Sequence, residues 1–398
     1  MEQTSKRLAS LTASQTLAMA QKSRELQEEG IDVINLSVGE PDFYTPEYVK
    51  EAAKKAIDEN YSFYTPVSGF SDLIQSICEK FKRDNDLEYN PNQIVVSAGA
   101  KHSLSNIFLS LLNPDDEVLI PTPYWVSYPE AIKLAEAKPI YIRSSIETGF
   151  KVTPEQVSRA ITPRTRMFVF SSPSNPSGAV YTKDELQSLA KMFAKNPQIL
   201  VVSDEIYEHI NYKRKHESIA QFPEIRNQVI VVNGVSKAFA MTGWRVGYMA
   251  AHESIAKACT KLQGQVTSGI FSIAQKAAVA ALNGGLEFPQ KMTEAFLRRR
   301  NIMVEGLRSI SGIQVEVPDG AFYIFADVSA FFGTKTPEGT EIKNAYQLSM
   351  YLLSEGHVAS VSGEGFGNSE CIRFSFATSD ENISNALERI HKAFNSLQ

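Results

Sequence analysis

The chain has 398 residues, 43% hydrophobic and 21% charged, with a formal net charge of -5. That length exceeds what one hydrophobic core usually organises, so two domains are expected, and the mild acidity gives no electrostatic footprint for nucleic acid or an anionic membrane. No run approaches the ~20 apolar residues of a membrane span, and Lys6, Arg7, Lys22 and Arg24 leave no room for a secretory core, so a cytoplasmic protein is expected.

The first 30 residues read as an arm and then a helix over 18–29, with Leu26 on one face and Gly30 as its stop. Residues 31–38 read as extended and run into the turn cluster Gly39-Glu40-Pro41-Asp42. Residues 46–60 carry Val49, Ala53, Ala56 and Ile57 at helical spacing. From about residue 70, short β-rich runs (94–97, 117–120, 139–142, 167–170, 199–203 and 229–233) alternate with amphipathic stretches such as 101–112, 128–137 and 184–194. The alternation predicts an α/β fold, a mostly parallel sheet between helices, whose ligands sit beyond the carboxyl ends of the strands. Residues 288–310 read as a long helix with Arg298, Arg299 and Arg300 on a solvated basic face. Strands at 313–317, 322–327 and 371–376 and helices at 343–355 and 381–394 then predict a smaller α+β domain. The three cysteines, Cys78, Cys259 and Cys371, are odd in number and widely spaced, which reads as reduced thiols. The six histidines are scattered without an HExxH, so no metal site is expected.

Four segments that follow predicted strands carry chemistry. Gly99-Ala100-Lys101 opens a helix, where free backbone N–H groups bind phosphate and small residues let it approach. Asn175 precedes a proline, which holds its backbone extended. Asp204 ends a buried β run, where a carboxylate needs a charged or hydrogen-bonding partner. Lys237 stands among apolar residues, where desolvation makes an amine nucleophilic. Ser236 and Arg245 beside it suit a phosphate, and Gly243 and Gly247 permit close approach.

The run from Ser236 to Gly247, S-K-x-x-x-x-x-G-x-R-x-G, resembles that of the class I/II aminotransferases, the fold-type I pyridoxal-phosphate enzymes. Asn175-Pro176-Ser177-Gly178, Asp204-x-x-Tyr207 and Arg373 match in the same order, and the resemblance runs from about residue 10 to the C-terminus. It implies a large domain with a seven-stranded, mostly parallel sheet, divided here as an arm and part of the small domain over 1–45, a large domain over 46–295 and a small domain over 296–398. It implies pyridoxal 5'-phosphate held as a Schiff base by Lys237, Asp204 as partner of the pyridine nitrogen, and Tyr207 and Asn175 as ligands of the ring hydroxyl. Trp125 resembles the aromatic that stacks on the ring. Ser236, Arg245 and the Gly99-Ala100-Lys101 backbone resemble the phosphate cup. Tyr64 matches a tyrosine that reaches the phosphate of a neighbouring subunit, which implies a homodimer with shared sites. Arg373 matches the arginine that grips the substrate α-carboxylate, and Gly39 a backbone donor to the same group.

Lys101 and Thr16 further resemble the lysine and threonine that bind the distal carboxylate in the bacterial Iβ subgroup. The implied reaction is ping-pong transfer from L-aspartate to 2-oxoglutarate. Prephenate or aromatic transamination, or carbon–sulfur lysis on the same fold, are the alternatives. The pattern departs from the family at Ser171 and Ser177 (usually Asn and Thr), at Ile74 (often Arg) and at Ser362 (usually Pro); these touch loop geometry and substrate preference. A transcription regulator on this fold would carry a further DNA-binding domain, and no basic helix-turn-helix segment is present.

Overall fold

The computed structural model describes residues 4–12, 15–213 and 215–398, with the side chains of 15–17 outside the description. Its strands are β1 Ile34–Asn35, β2 Ile94–Ser97, β3 Glu117–Pro121, β4 Lys138–Ile142, β5 Thr165–Ser171, β6 Leu200–Asp204, β7 Val229–Gly234, β8 Gly247–Ala250, β9 Tyr323–Asp327, β10 Val358–Ala359, β11 Val361–Ser362 and β12 Cys371–Ser375. Seven form one sheet in the order β2-β8-β7-β6-β5-β3-β4. The neighbours from β7 through β4 run parallel, while β8 lies antiparallel to both β7 and β2. The mostly parallel expectation therefore holds. Strand β8 was not predicted: it is four residues long and starts at a glycine within the lysine-bearing loop.

The sheet is buried on both faces. Along β2, Val96 belongs to one core and Val95 to the other; β6 splits Val201 from Val202 and β7 splits Val231 from Val232 in the same way. Strands covered on both sides read as unbroken apolar runs, because each face needs its own hydrophobic set. Each such side chain contributes roughly 1.5–3 kcal/mol of burial.

A third core gathers around β9, β12 and the helices Glu287–Arg308, Ala345–Ser354 and Asp380–Asn395. There β12 pairs antiparallel with both β9 and β11. The strand predicted over 313–317 is absent as such; only a bridge from Gln314 to Asp327 remains. The N-terminal helix, Gln15–Glu28, starts three residues before the predicted 18, and Gly30 ends it with φ at +86°. The extended stretch over 31–38 shrinks to β1, paired parallel with β10.

The solvated basic face on the long helix is a correction. Arg299 is buried, bonded to Asp42 at 2.8 Å and Asp380 at 3.1 Å, and Arg298 donates to Asp380 at 2.7 Å. A guanidinium is buried only with partners, and these come from residues distant in sequence. The three cysteines are unpaired.

One buried ion pair joins the helix Ser71–Asn85 to the turn after β6. Lys80 pairs with Glu208, and Asn85 bonds to both, accepting from Lys80 at 2.8 Å and donating to Glu208 at 2.9 Å. Burial alone would raise the Glu208 carboxyl; the charges of Lys80 and His209 outweigh it and hold the group well below the usual range. With its folded pKa depressed, Glu208 contributes stability above its unfolded pKa that is lost as the pH falls through the folded one. Lys80→Ala should cost about 3–5 kcal/mol by leaving that carboxylate buried and unpaired, seen as a lower urea midpoint with unchanged slope.

Candidate active site

The carboxyl ends of β2, β3, β5, β6 and β7 share one edge of the sheet, because β2 regains the parallel direction across two antiparallel pairings. The chemistry-bearing residues follow directly: Gly99 after β2, Trp125 after β3, Asn175 after β5, Asp204 at the end of β6 and Lys237 after β7. Arg373, on β12, closes the space from the smaller sheet. Trp125, Asn175, Asp204, Lys237 and Arg373 line a cavity of about 460 Å³ that also takes in Gly39, Lys101, Tyr207, Ser236, Arg245 and Ala100, the residue after Gly99. A larger recess of about 580 Å³ lies beside Arg83 and Lys215. Those cations already pair with Asp84 and Asp86, so it offers no free charge from them to a ligand.

Lys237 donates to the carbonyl of Gly39. Desolvation brings its amine down to about 8; Glu40 opposes the shift, and Arg373 and Arg245 add to it. Asp204 is buried, and that burial raises its carboxyl to about 6 against the hydrogen bonds it accepts from Tyr128 (2.7 Å) and the Ile206 N–H (3.3 Å). A buried carboxylate with a raised pKa is one short of a cationic partner. The Trp125 ring meets Tyr128 edge-on, with centroids 5.5 Å apart.

The anion end is built by close approach. A Cβ on Gly99, where φ is +84°, would lie 2.3 Å from Arg245 Nη2, and one on Gly247 would lie 2.2 Å from the Ala100 nitrogen. Gly99 caps the helix Ala100–Leu111, whose first N–H groups offer an anion site. Arg245 is anchored over it by donating to Thr242 O at 2.8 Å and Ala98 O at 3.3 Å.

Arg373 is 2% exposed. It donates to Asn175 Oδ1 at 3.0 Å and to Ser37 O at 2.6 Å, and its Nε is buried without a partner. No carboxylate pairs with it among the described residues. A buried guanidinium left this way is costly and fits an arriving carboxylate. Lys101 places Nζ 5.1 Å from the Trp125 ring centroid, and its amine is lowered by desolvation and then by Arg245.

One predicted residue of the described set is not brought into this cavity. Tyr64 is fully exposed, on a separate recess. The side chain of Thr16 lies outside the described residues. Two contributors were missed. Tyr128, three residues after Trp125, supplies the donor to Asp204. Tyr323, at the start of β9, bonds to Tyr207 between hydroxyls 2.8 Å apart. A tyrosine in a buried run needs a partner for its hydroxyl, and that was the available signal. Tyr128→Phe should raise the Asp204 carboxyl further and weaken cofactor binding about tenfold, measured by equilibrium titration of the cofactor-free protein.

The model of the aminotransferase class I and II family matches residues 31–390. The chain is 46% identical over 389 residues to the aspartate aminotransferase of Bacillus subtilis, covering 97% of this chain and 98% of that one. It is 46% identical over 385 residues to the aspartate/prephenate aminotransferase of Cereibacter sphaeroides, covering 96% of each. The crystal structure of the Rhizobium meliloti aspartate aminotransferase superposes with a TM-score of 0.97 at 42% identity over the whole of both chains. That of the Thermus thermophilus enzyme with maleate gives 0.93 at 39% identity, over 99% of this chain and 100% of the other. The residues present fit pyridoxal phosphate: a glycine-built anion cradle, a carboxylate short of a cation, and a desolvated amine share one cavity. The chain belongs to the class I and II aminotransferases and works with pyridoxal 5'-phosphate.

Proposed function

We propose that the chain moves the amino group of L-aspartate to 2-oxoglutarate, yielding oxaloacetate and L-glutamate in two half-reactions at this cavity. The observation that carries the reading is that Lys101 lines the same cavity as the unsatisfied Arg373. A dicarboxylate needs two cations, and an amino acid with an apolar side chain needs one. The names of the relatives support the same donor. One of them is also named for prephenate, which keeps prephenate as a second reading.

When bound, the cofactor supplies a ring that accepts the electron pair left as the substrate α-proton departs. Lys237 would hold the cofactor through Nζ, and the same nitrogen, when free, would carry the proton to and from the substrate α-carbon. Asp204 keeps the ring nitrogen protonated, and Tyr128 holds Asp204 in place. Asn175 and Tyr207 bind the ring oxygen, and Trp125 covers the ring. Ser236, Arg245 and the N–H groups of Gly99-Ala100-Lys101 bind phosphate. Arg373, with the Gly39 N–H, would orient the α-carboxylate and so select which bond at the α-carbon is broken.

Tyr64 serves a second copy of the chain in this reading, which makes the protein a homodimer. Support comes from the exposure of Phe63 (83%), Tyr64 (100%) and Phe271 (65%) around one recess, since clustered exposed aromatics mark an interaction face. The separate cores support a large and a small domain; residue 295 falls inside the helix Glu287–Arg308, whose Met292 and Phe296 both pack in the core of the smaller sheet. No helix among the described residues is long and apolar enough to cross a membrane, which is consistent with a cytoplasmic enzyme.

The test is to load the protein with pyridoxal phosphate and add L-aspartate without any oxo acid. The cofactor's visible absorbance should be lost stoichiometrically, with oxaloacetate released and the colour restored by 2-oxoglutarate. Response to an aromatic donor but not to aspartate would refute the role of Lys101.

A further inference from the structure

The cofactor half and the substrate half of the site meet at one side chain. Tyr323 and Arg373 stand on paired antiparallel strands, with Arg373 opposite Phe325 and Ser375 opposite Tyr323. With a side-chain period of two, Tyr323 and Arg373 are diagonal neighbours on one face. The guanidinium accordingly lies 4.5 Å from the Tyr323 ring centroid. The other end of Tyr323 reaches the turn after β6, where its hydroxyl is 2.8 Å from that of Tyr207. The same hydroxyl sits 3.1 Å from where a Cβ on Gly39 would stand. Tyr323 is wholly buried and Tyr207 is 4% exposed, so water does not substitute for either contact.

We propose that Tyr323 is a positioning residue that aims Tyr207 at the cofactor and Arg373 at the substrate carboxylate together. The inference rests on the roles of Tyr207 and Arg373 given above. The direction of the bond follows from proton count. Each hydroxyl has one proton. Tyr207 must spend its own on the ring oxygen of the cofactor, so the proton between the two tyrosines belongs to Tyr323. Donation from Tyr323 strengthens Tyr207 as a donor and so favours the ionised ring oxygen. The ring of Tyr323 meanwhile holds the guanidinium by cation–π attraction, stronger where both are desolvated.

Two variants separate the contacts: Tyr323→Phe removes the hydroxyl and keeps the ring, and Tyr323→Leu removes both. The pH titration of the cofactor's visible absorbance is the readout, since a purely structural role would not move it. The charged groups facing this pair are Arg373, Glu40, Asp204 and Lys237, and neither variant changes them. Tyr323→Phe should raise the midpoint by about half a pH unit and lower kcat, with the KM for aspartate unchanged. Tyr323→Leu should in addition raise that KM about tenfold. A Tyr323→Phe enzyme of unchanged melting temperature whose midpoint equals the wild type's overturns the proposal while leaving the site intact. A wild type with no titrating band would overturn both the site and this inference. Should Tyr323→Leu fail to fold, the Phe variant alone decides.

Discussion

Lys237→Ala should lower the rate of amino transfer by about 10⁴-fold or more, since in the proposed mechanism it removes both the cofactor's covalent anchor and the base that moves the substrate α-proton. Borohydride reduction of the loaded wild type should fix the cofactor irreversibly, and the variant should release it. A variant that retained half the activity would remove Lys237 from the mechanism. The amine's environment adds two sharper expectations. Its pKa is about 8 instead of 10.5, so capture of pyridoxal phosphate by the cofactor-free protein should quicken up to about pH 8 and level off above it. A solvated lysine would keep gaining reactive amine to well over a unit higher. The same shift has a stability sign. Between about 8 and 10.5 the folded protein binds fewer protons at Lys237 than the unfolded chain, so stability rises with pH across that window. Below it the full cost of a buried ammonium is borne. The cofactor-free Lys237→Ala protein should therefore melt higher than the cofactor-free wild type at neutral pH, while being catalytically dead.

The second large effect belongs to Asp204. Asp204→Asn should reduce kcat about 10²–10³-fold, the usual loss when a preorganised electrostatic partner is removed, and the cofactor's protonated ring nitrogen should become undetectable by nitrogen-15 NMR. The residue stays isosteric, so the fold should survive. In the cofactor-free protein the folded pKa of Asp204 is raised from 3.8 to about 6. A raised pKa contributes stability that is complete below 3.8 and lost as the pH rises through about 6. At neutral pH this carboxylate is thus a strained group, relieved when a cation binds. The gain in melting temperature on adding pyridoxal phosphate should therefore be larger at pH 7.5 than at pH 5, and that difference should shrink in Asp204→Asn to the part that titration of Lys237 supplies. An equal gain at both pH values in the wild type would detach Asp204 from cofactor binding.

Much of the site was legible because its residues punctuate strands. A buried β run ends at a carboxylate in Asp204, and an apolar loop holds an amine at Lys237; each is expensive without a partner, and expense is visible in sequence. Arg373 was legible only by resemblance. Its surroundings are Asn175, Ser37 and the Tyr323 ring, brought together from segments up to 336 residues apart. Arg299 shows the opposite error: read as solvated, it is buried because Asp42 and Asp380 arrive from both sides. Strand β8 was invisible for a related reason, since four residues beginning with glycine carry no period until β2 and β7 flank them.

The sequence by itself determined the α/β class, the parallel majority of the sheet and the segments that hold the chemistry, because periodicity and strand-end polarity are local properties. Tertiary structure alone decided which way Tyr128 and Tyr323 point, that Lys101 and Arg373 share one cavity, and that Lys237 is desolvated enough to react near neutral pH. Those outcomes depend on low dielectric and close approach between distant segments, and neither exists until the chain has packed.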